Sequence, residues 1–109
     1  MTFQQNDYKS MQTIKTKELV PFPAGEVAAN FQFDCSTTYG NFRFHFKWLN
    51  DRWNLWVTLP GGEVRQAGVY PGVMSWSEFN DFGIIFETNM ESIDYNSLFA
   101  TEMYLIKWL

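Results

Sequence analysis

Apolar and polar positions alternate most strictly across residues 42–59. Phe42, Phe44, Phe46 and Trp48 fall on one side of the chain, with Arg43, His45 and Lys47 on the other. That period of two is a strand's, because successive side chains leave a pleated backbone on opposite faces. Asn50-Asp51-Arg52 supplies a reversal, since Asn and Asp side chains bond nearby backbone and tolerate turn geometry. Trp53, Leu55, Val57 and Leu59 then line a face opposite Asn54, Trp56 and Thr58, and Pro60-Gly61-Gly62 closes the next turn. Upstream, Phe31 and Phe33 alternate with Gln32 and Asp34 before a turn cluster at residues 36–41. The whole reads as a β-meander.

The remainder is less regular. Residues 63–68 fit a short strand, 84–88 an apolar strand, 89–97 a polar loop and 102–109 a closing strand with Met103, Leu105 and Lys107 alternating against Tyr104, Ile106 and Trp108. Ser75 and Glu78 have capping-box spacing, which predicts one helical turn over residues 75–79. Residues 1–12 are polar and without period. They and the Pro21-Phe22-Pro23-Ala24-Gly25 stretch, whose prolines donate no backbone N–H, make residues 1–25 an arm leading into a single β domain at 26–109. The expected fold is all-β: a small β-barrel or β-sandwich of about six strands with at most one short helical turn.

Composition narrows the function. The 109 residues carry 12 acids against eight Lys and Arg, a net charge of −4, which gives no broad electrostatic footprint for nucleic acid. The basic and aromatic faces of residues 42–48 are also opposite faces, whereas stacking on nucleotides needs both on one side. No apolar run approaches a membrane span and no apolar leader is present, so neither a membrane nor secretion is expected. One cysteine, Cys35, excludes an internal disulfide and fits a reducing compartment.

Catalytic groupings are weak. His45 is the single histidine and is flanked by cations, which oppose a metal, so no metal site and no cofactor are expected. Cys35 has no identifiable His partner, and Glu87, Glu91 and Asp94 fall in or beside a loop without a helix to bring them together. An enzyme is not expected. Eleven Phe, five Trp and five Tyr are instead more ring surface than a small core usually holds, which predicts rings at an interface. Trp56 leads these because it stands on the polar side of its strand, with Trp76 and Tyr70 as further interface candidates. Arg43, Lys47, Arg52 and Arg65 concentrate in residues 41–65, while residues 74–109 hold six acids and one lysine. Such polarity suits docking between neighbours. The same rings allow an alternative, a carbohydrate-binding module that stacks sugars on Trp and Tyr.

The segment Lys47-Trp48-Leu49-Asn50-Asp51-Arg52-Trp53-Asn54-Leu55 resembles the strand–turn–strand of the small baseplate plug proteins of contractile-tailed bacteriophages. The order that follows is similar too: Pro60-Gly61-Gly62, Val64 to Gly68, Val69-Tyr70-Pro71-Gly72, Phe82-Gly83-Ile84-Ile85 and Met103-Tyr104-Leu105-Ile106. The resemblance covers roughly residues 26–109. It implies a β-rich virion protein of the tail baseplate, assembled in the bacterial cytoplasm. Its expected partners are hub, distal tube or wedge proteins, and no catalytic residues carry over.

Overall fold

The computed structural model describes residues 14–76 and 81–109. Among them seven strands follow one another: β1 (Ile14–Val20), β2 (Asn30–Thr37), β3 (Gly40–Leu49), β4 (Arg52–Thr58), β5 (Val64–Ala67), β6 (Phe82–Glu87) and β7 (Glu102–Trp108). One 3-10 turn, Leu98–Ala100, precedes β7. All pairing between strands is antiparallel, in two sheets ordered β2-β3-β4-β5 and β1-β7-β6. The sheets pack as a sandwich and do not close into a barrel. Closure would need ladders from β1 to β2 and from β5 to β6. Pro21 and Pro23 remove donors just after β1, and after β5 the chain leaves its sheet at Gly68.

The four-stranded sheet is the meander read from the sequence. Its central hairpin turns on Asn50 and Asp51, both in the left-handed region with φ of 55° and 60°. Two such residues make the turn whose twist matches that of the flanking strands. The β2–β3 hairpin closes at Gly40, with φ of 119°, where a Cβ would lie 2.8 Å from the Pro60 ring. The inner face carries Phe42, Phe44, Phe46, Trp53, Leu55 and Val57, all buried. Against it the other sheet sets Val20, Ile84, Phe86, Met103 and Leu105. Phe46 meets Phe86 edge-on at 6.3 Å and Phe42 meets Phe82 at 5.3 Å. Each such ring taken from water stabilises the fold by about 1.5–3 kcal/mol.

Most of the ring surplus turns inward. Phe31 and Phe33 stack on Phe46, Phe22 meets it edge-on, and Phe22 stacks on Phe99 at 5.0 Å. Tyr95, from the loop expected at 89–97, lies parallel to Trp53 at 5.5 Å, while the Trp53 indole N–H donates to the Asp94 carbonyl at 3.0 Å. The polar loop is thus pinned over one end of the sandwich.

Two boundaries differ from the sequence reading. Ile14–Val20 falls inside the segment assigned to the arm, yet it is an edge strand of the three-stranded sheet, running from Ile14 opposite Trp108 to Val20 opposite Met103. Its inward side is Thr16, Glu18 and Val20, and only Val20 is apolar. The Thr16 hydroxyl lies 3.0 Å from the Tyr39 hydroxyl, and the Glu18 carboxylate accepts the Thr38 backbone N–H at 3.3 Å. The inward side is therefore polar by design of its partners, and no alternation marks it. The expected arm of residues 1–12 lies outside the described residues.

The second difference concerns Ser75. Its backbone bridges Ile84 through bonds of 2.8 and 3.2 Å and its hydroxyl oxygen accepts the Gly68 N–H at 2.8 Å, while the N–H groups it is expected to cap lie outside the described residues. The rest of the expected turn, residues 77–80, lies outside the described residues. Together with the Pro71–Phe86 bridge, Ser75 lays residues 71–75 along the outer edge of β6. Gly83 permits this approach, since a Cβ there would lie 2.8 Å from the Met74 sulfur.

Candidate functional site

Alternation along β3 sends Arg43, His45 and Lys47 to the outer face of the four-stranded sheet, and the hairpin register places their neighbours. Arg43 stands opposite Thr58, His45 opposite Trp56, Lys47 opposite Asn54 and Leu49 opposite Arg52. On the other flank β2 sets Asp34 beside Arg43, Gln32 beside His45 and Asn30 beside Lys47. β5 adds Gln66 beside Trp56. Trp56 is consequently half-buried at the middle of a polar sheet face, outside the hydrophobic core cluster.

Its surroundings are cationic on one side. The Lys47 ammonium lies 5.8 Å from the centre of the Trp56 ring and the His45 ring 6.2 Å from it. The Lys47 cation near the indole face is attracted by the ring's quadrupole. His45 Nε2 is 2.7 Å from the Asn30 side-chain oxygen, which orients the imidazole. Arg43 donates to both oxygens of Asp34, at 2.8 and 3.4 Å, and those bonds hold the exposed Asp34 carboxyl below its usual range. Arg43 is thus partly neutralised, whereas Lys47 and Arg52 form no ion pair among the described residues.

The structure separates Arg65 from this group. Arg65 stands opposite Val57, an inward position, so it shares the inner side of the edge strand β5. There it donates to Glu63 at 2.9 Å, lowering that carboxyl's pKa, and its guanidinium lies 5.1 Å from the Trp76 ring. The Trp76 indole in turn donates to the Gln66 carbonyl at 3.0 Å. Arg65 and Trp76 therefore brace the edge where the chain leaves the sheet. Tyr70 is exposed near the same edge, by a cleft of about 410 Å³ that Arg52 and Asn54 also line.

Of the seven sequence-derived positions, Arg43, Lys47, Arg52 and Trp56 share one face, and Arg65, Trp76 and Tyr70 lie at its β5 border. Sequence reasoning missed His45 and Gln66 as neighbours of Trp56. A signal existed: a two-residue turn at Asn50-Asp51 sets Leu49 opposite Arg52 and hence His45 opposite Trp56.

The acid–base candidates do not converge. Glu87 bonds Lys17 across β7 at 2.6 Å, and the Asp94 backbone N–H is capped by the Ser97 hydroxyl at 2.7 Å. Half-buried Cys35 sits on the inner side of β2, and burial, then the nearby Glu18 charge, pushes its thiol pKa up, away from a reactive thiolate. Among the described residues no three His, Cys, Asp or Glu side chains are grouped to hold a metal ion, and no helix is long and apolar enough to cross a membrane. No protein-family model, curated protein or solved structure matches the chain.

Proposed function

We propose that this chain is a non-enzymatic structural subunit of a contractile phage tail, joining neighbouring proteins of the central baseplate near the hub and distal tube. The observation that carries the reading is the half-buried Trp56, set between His45 and Lys47 on an open sheet face rather than in the core. A ring held by its strand but still accessible has little entropy to lose on docking, and Trp is enriched among the residues that dominate interfaces. Lys47 and Arg52 beside it offer charge to an acidic neighbour, which favours correct orientation more than raw affinity. The resemblance of residues 26–109 to the baseplate plug proteins in sequence order is what suggests the assembly. Assembly in the bacterial cytoplasm and residence in the virion follow from that reading.

Immunogold labelling of isolated tails, with mass spectrometry of the same preparation, tests it. Label at the distal tip supports a baseplate role, and absence of the protein from purified tails refutes it. Asn30, Gln32 and Gln66 around Trp56 also favour a second reading, a sugar stacked on the indole and bonded by flanking amides. Calorimetry against host polysaccharide separates the two, since a baseplate subunit has no need of sugar affinity.

A further inference from the structure

The β5 strand stops one pair short of the sheet it borders. In a hairpin with a two-residue turn, the residues flanking the turn exchange both backbone bonds, and the bonded pairs then recur at every second position. For β3 and β4 those pairs are Leu49 with Arg52, Lys47 with Asn54 and His45 with Trp56. The N–H and C=O of Trp53, Leu55 and Val57 must therefore point away from β3, towards β5. The ladder beyond agrees: Leu55 stands opposite Ala67, Val57 opposite Arg65, and the Leu59 N–H donates to the Glu63 carbonyl at 2.8 Å. The next pair in the series would join Trp53 to residue 69. It does not form, because the chain turns off at Gly68, where the Ser75 hydroxyl takes the backbone N–H, and crosses to β6 at Pro71.

What remains is a notch in the sheet edge. The cleft of about 410 Å³ opens there, lined by Arg52, Trp53, Asn54, Gln66, Gly68 and Tyr70 among others. Trp53 lines this cleft although the residue as a whole is only 4% exposed and its side chain belongs to the core cluster, which leaves a narrow strip of backbone as its share of the lining. No backbone bond joins Trp53 to residue 69 or to any other residue beyond the strand ladders among the described residues. A donor and an acceptor on an open edge are the rung of a ladder awaiting another strand.

We infer that the notch receives a short extended segment of a partner protein, carrying an acidic side chain, which continues the line of β5 and pairs with Trp53. The backbone rung selects an extended conformation. Arg52, exposed and without an ion pair, selects the acidic group, and the Tyr70 ring supplies a wall for a flanking apolar side chain. This goes beyond the docking role of the Trp56 face, because it names a second contact with its own chemistry.

The test is a titration of the ¹⁵N-labelled full chain with blocked Val-Thr-Val-Glu, its Gln analogue and a backbone N-methylated version. The expected result is an amide shift and intermolecular NOEs at Trp53, lost on N-methylation. The Glu peptide should bind roughly threefold to fivefold tighter than the Gln peptide at low salt, and Arg52→Gln should abolish that preference. No shift at Trp53, shifts confined to the Trp56 face, or equal binding of the N-methylated peptide would each overturn the inference. So would self-association of the free protein through the Trp53 amide, which would give the notch to a second copy. Failure here leaves the tail-labelling result untouched, and absence from tails leaves the titration untouched.

Discussion

The Thr16 and Tyr39 hydroxyls lie 3.0 Å apart and join an edge strand of one sheet to the hairpin turn of the other. Thr16 stands on the inner side of β1, two residues from Glu18, which holds the Thr38 N–H in the same turn. The edge of the sandwich is thus closed by polar contacts where its centre is closed by rings. Removing one partner should cost about 0.5–1.5 kcal/mol. Tyr39→Phe is expected to lower the denaturant midpoint by that amount and to raise amide exchange in β1 ahead of β3 and β4.

Truncation should divide sharply within the first 20 residues. Deleting residues 1–12 leaves β1 whole, and the expected outcome is an unchanged circular dichroism spectrum and, on the proposed baseplate role, impaired tail assembly. Deleting residues 1–20 removes buried Val20 and uncovers the β7 edge. That protein should unfold at lower denaturant or aggregate through the bare edge, which light scattering would register.

Phe46 contacts Phe22, Phe31, Phe33, Trp53 and Phe86. Phe46→Ala is expected to cost about 3–5 kcal/mol, the range for a large ring removed from a packed core. Equilibrium urea unfolding followed by tryptophan fluorescence measures it.

Trp56→Ala separates docking from folding. The ring lies outside the core, so the melting temperature should stay within a few degrees of the parent. On the proposed baseplate role, docking to tail proteins should weaken by more than ~1 kcal/mol. An unfolded variant would assign Trp56 to the core instead.

Acid stability has a defined sign. The folded pKa of Asp34 lies below its ordinary 3.8 because Arg43 bonds it, and that of Glu63 below 4.5 because of Arg65. Carboxyls depressed in the folded state contribute stability above their unfolded pKa and lose it as pH falls through the folded value. Stability should therefore decline below about pH 4.5, modestly, since both carboxyls are exposed. In Arg43→Gln the Asp34 titration, followed by NMR, should move upward.

Legibility followed the physics of each element. Strands β3 and β4 declared themselves because one side faces rings and the other faces water, so alternation and burial coincide. The position of Trp56 on the outer face was legible for the same reason. Strand β1 was not, because Thr16 and Glu18 occupy core-side positions by bonding a turn 20 and more residues away in sequence. Arg65 looked like a fourth member of the basic group, since nearness in sequence carries no information about register. Only its place opposite Val57 shows that it turns inward. Sandwich and barrel share the same strands, and the difference lies in ladders that the prolines after β1 and the crossover at Gly68 prevent.

The two sheets also differ in when they can form. Strands β2 to β5 pair with their sequence neighbours, whereas β7, at the far end of the chain order, is the middle strand between β1 and β6. During synthesis the meander can assemble as it emerges, but Val20 has no Met103 to meet until β7 has been translated. Through that interval Phe42, Phe44 and Phe46 lack their cover, a state prone to association with other nascent chains. A ribosome stalled before residue 102 should hold one ordered hairpin array with an open aromatic face, and chaperone capture should end abruptly once β7 clears the exit tunnel.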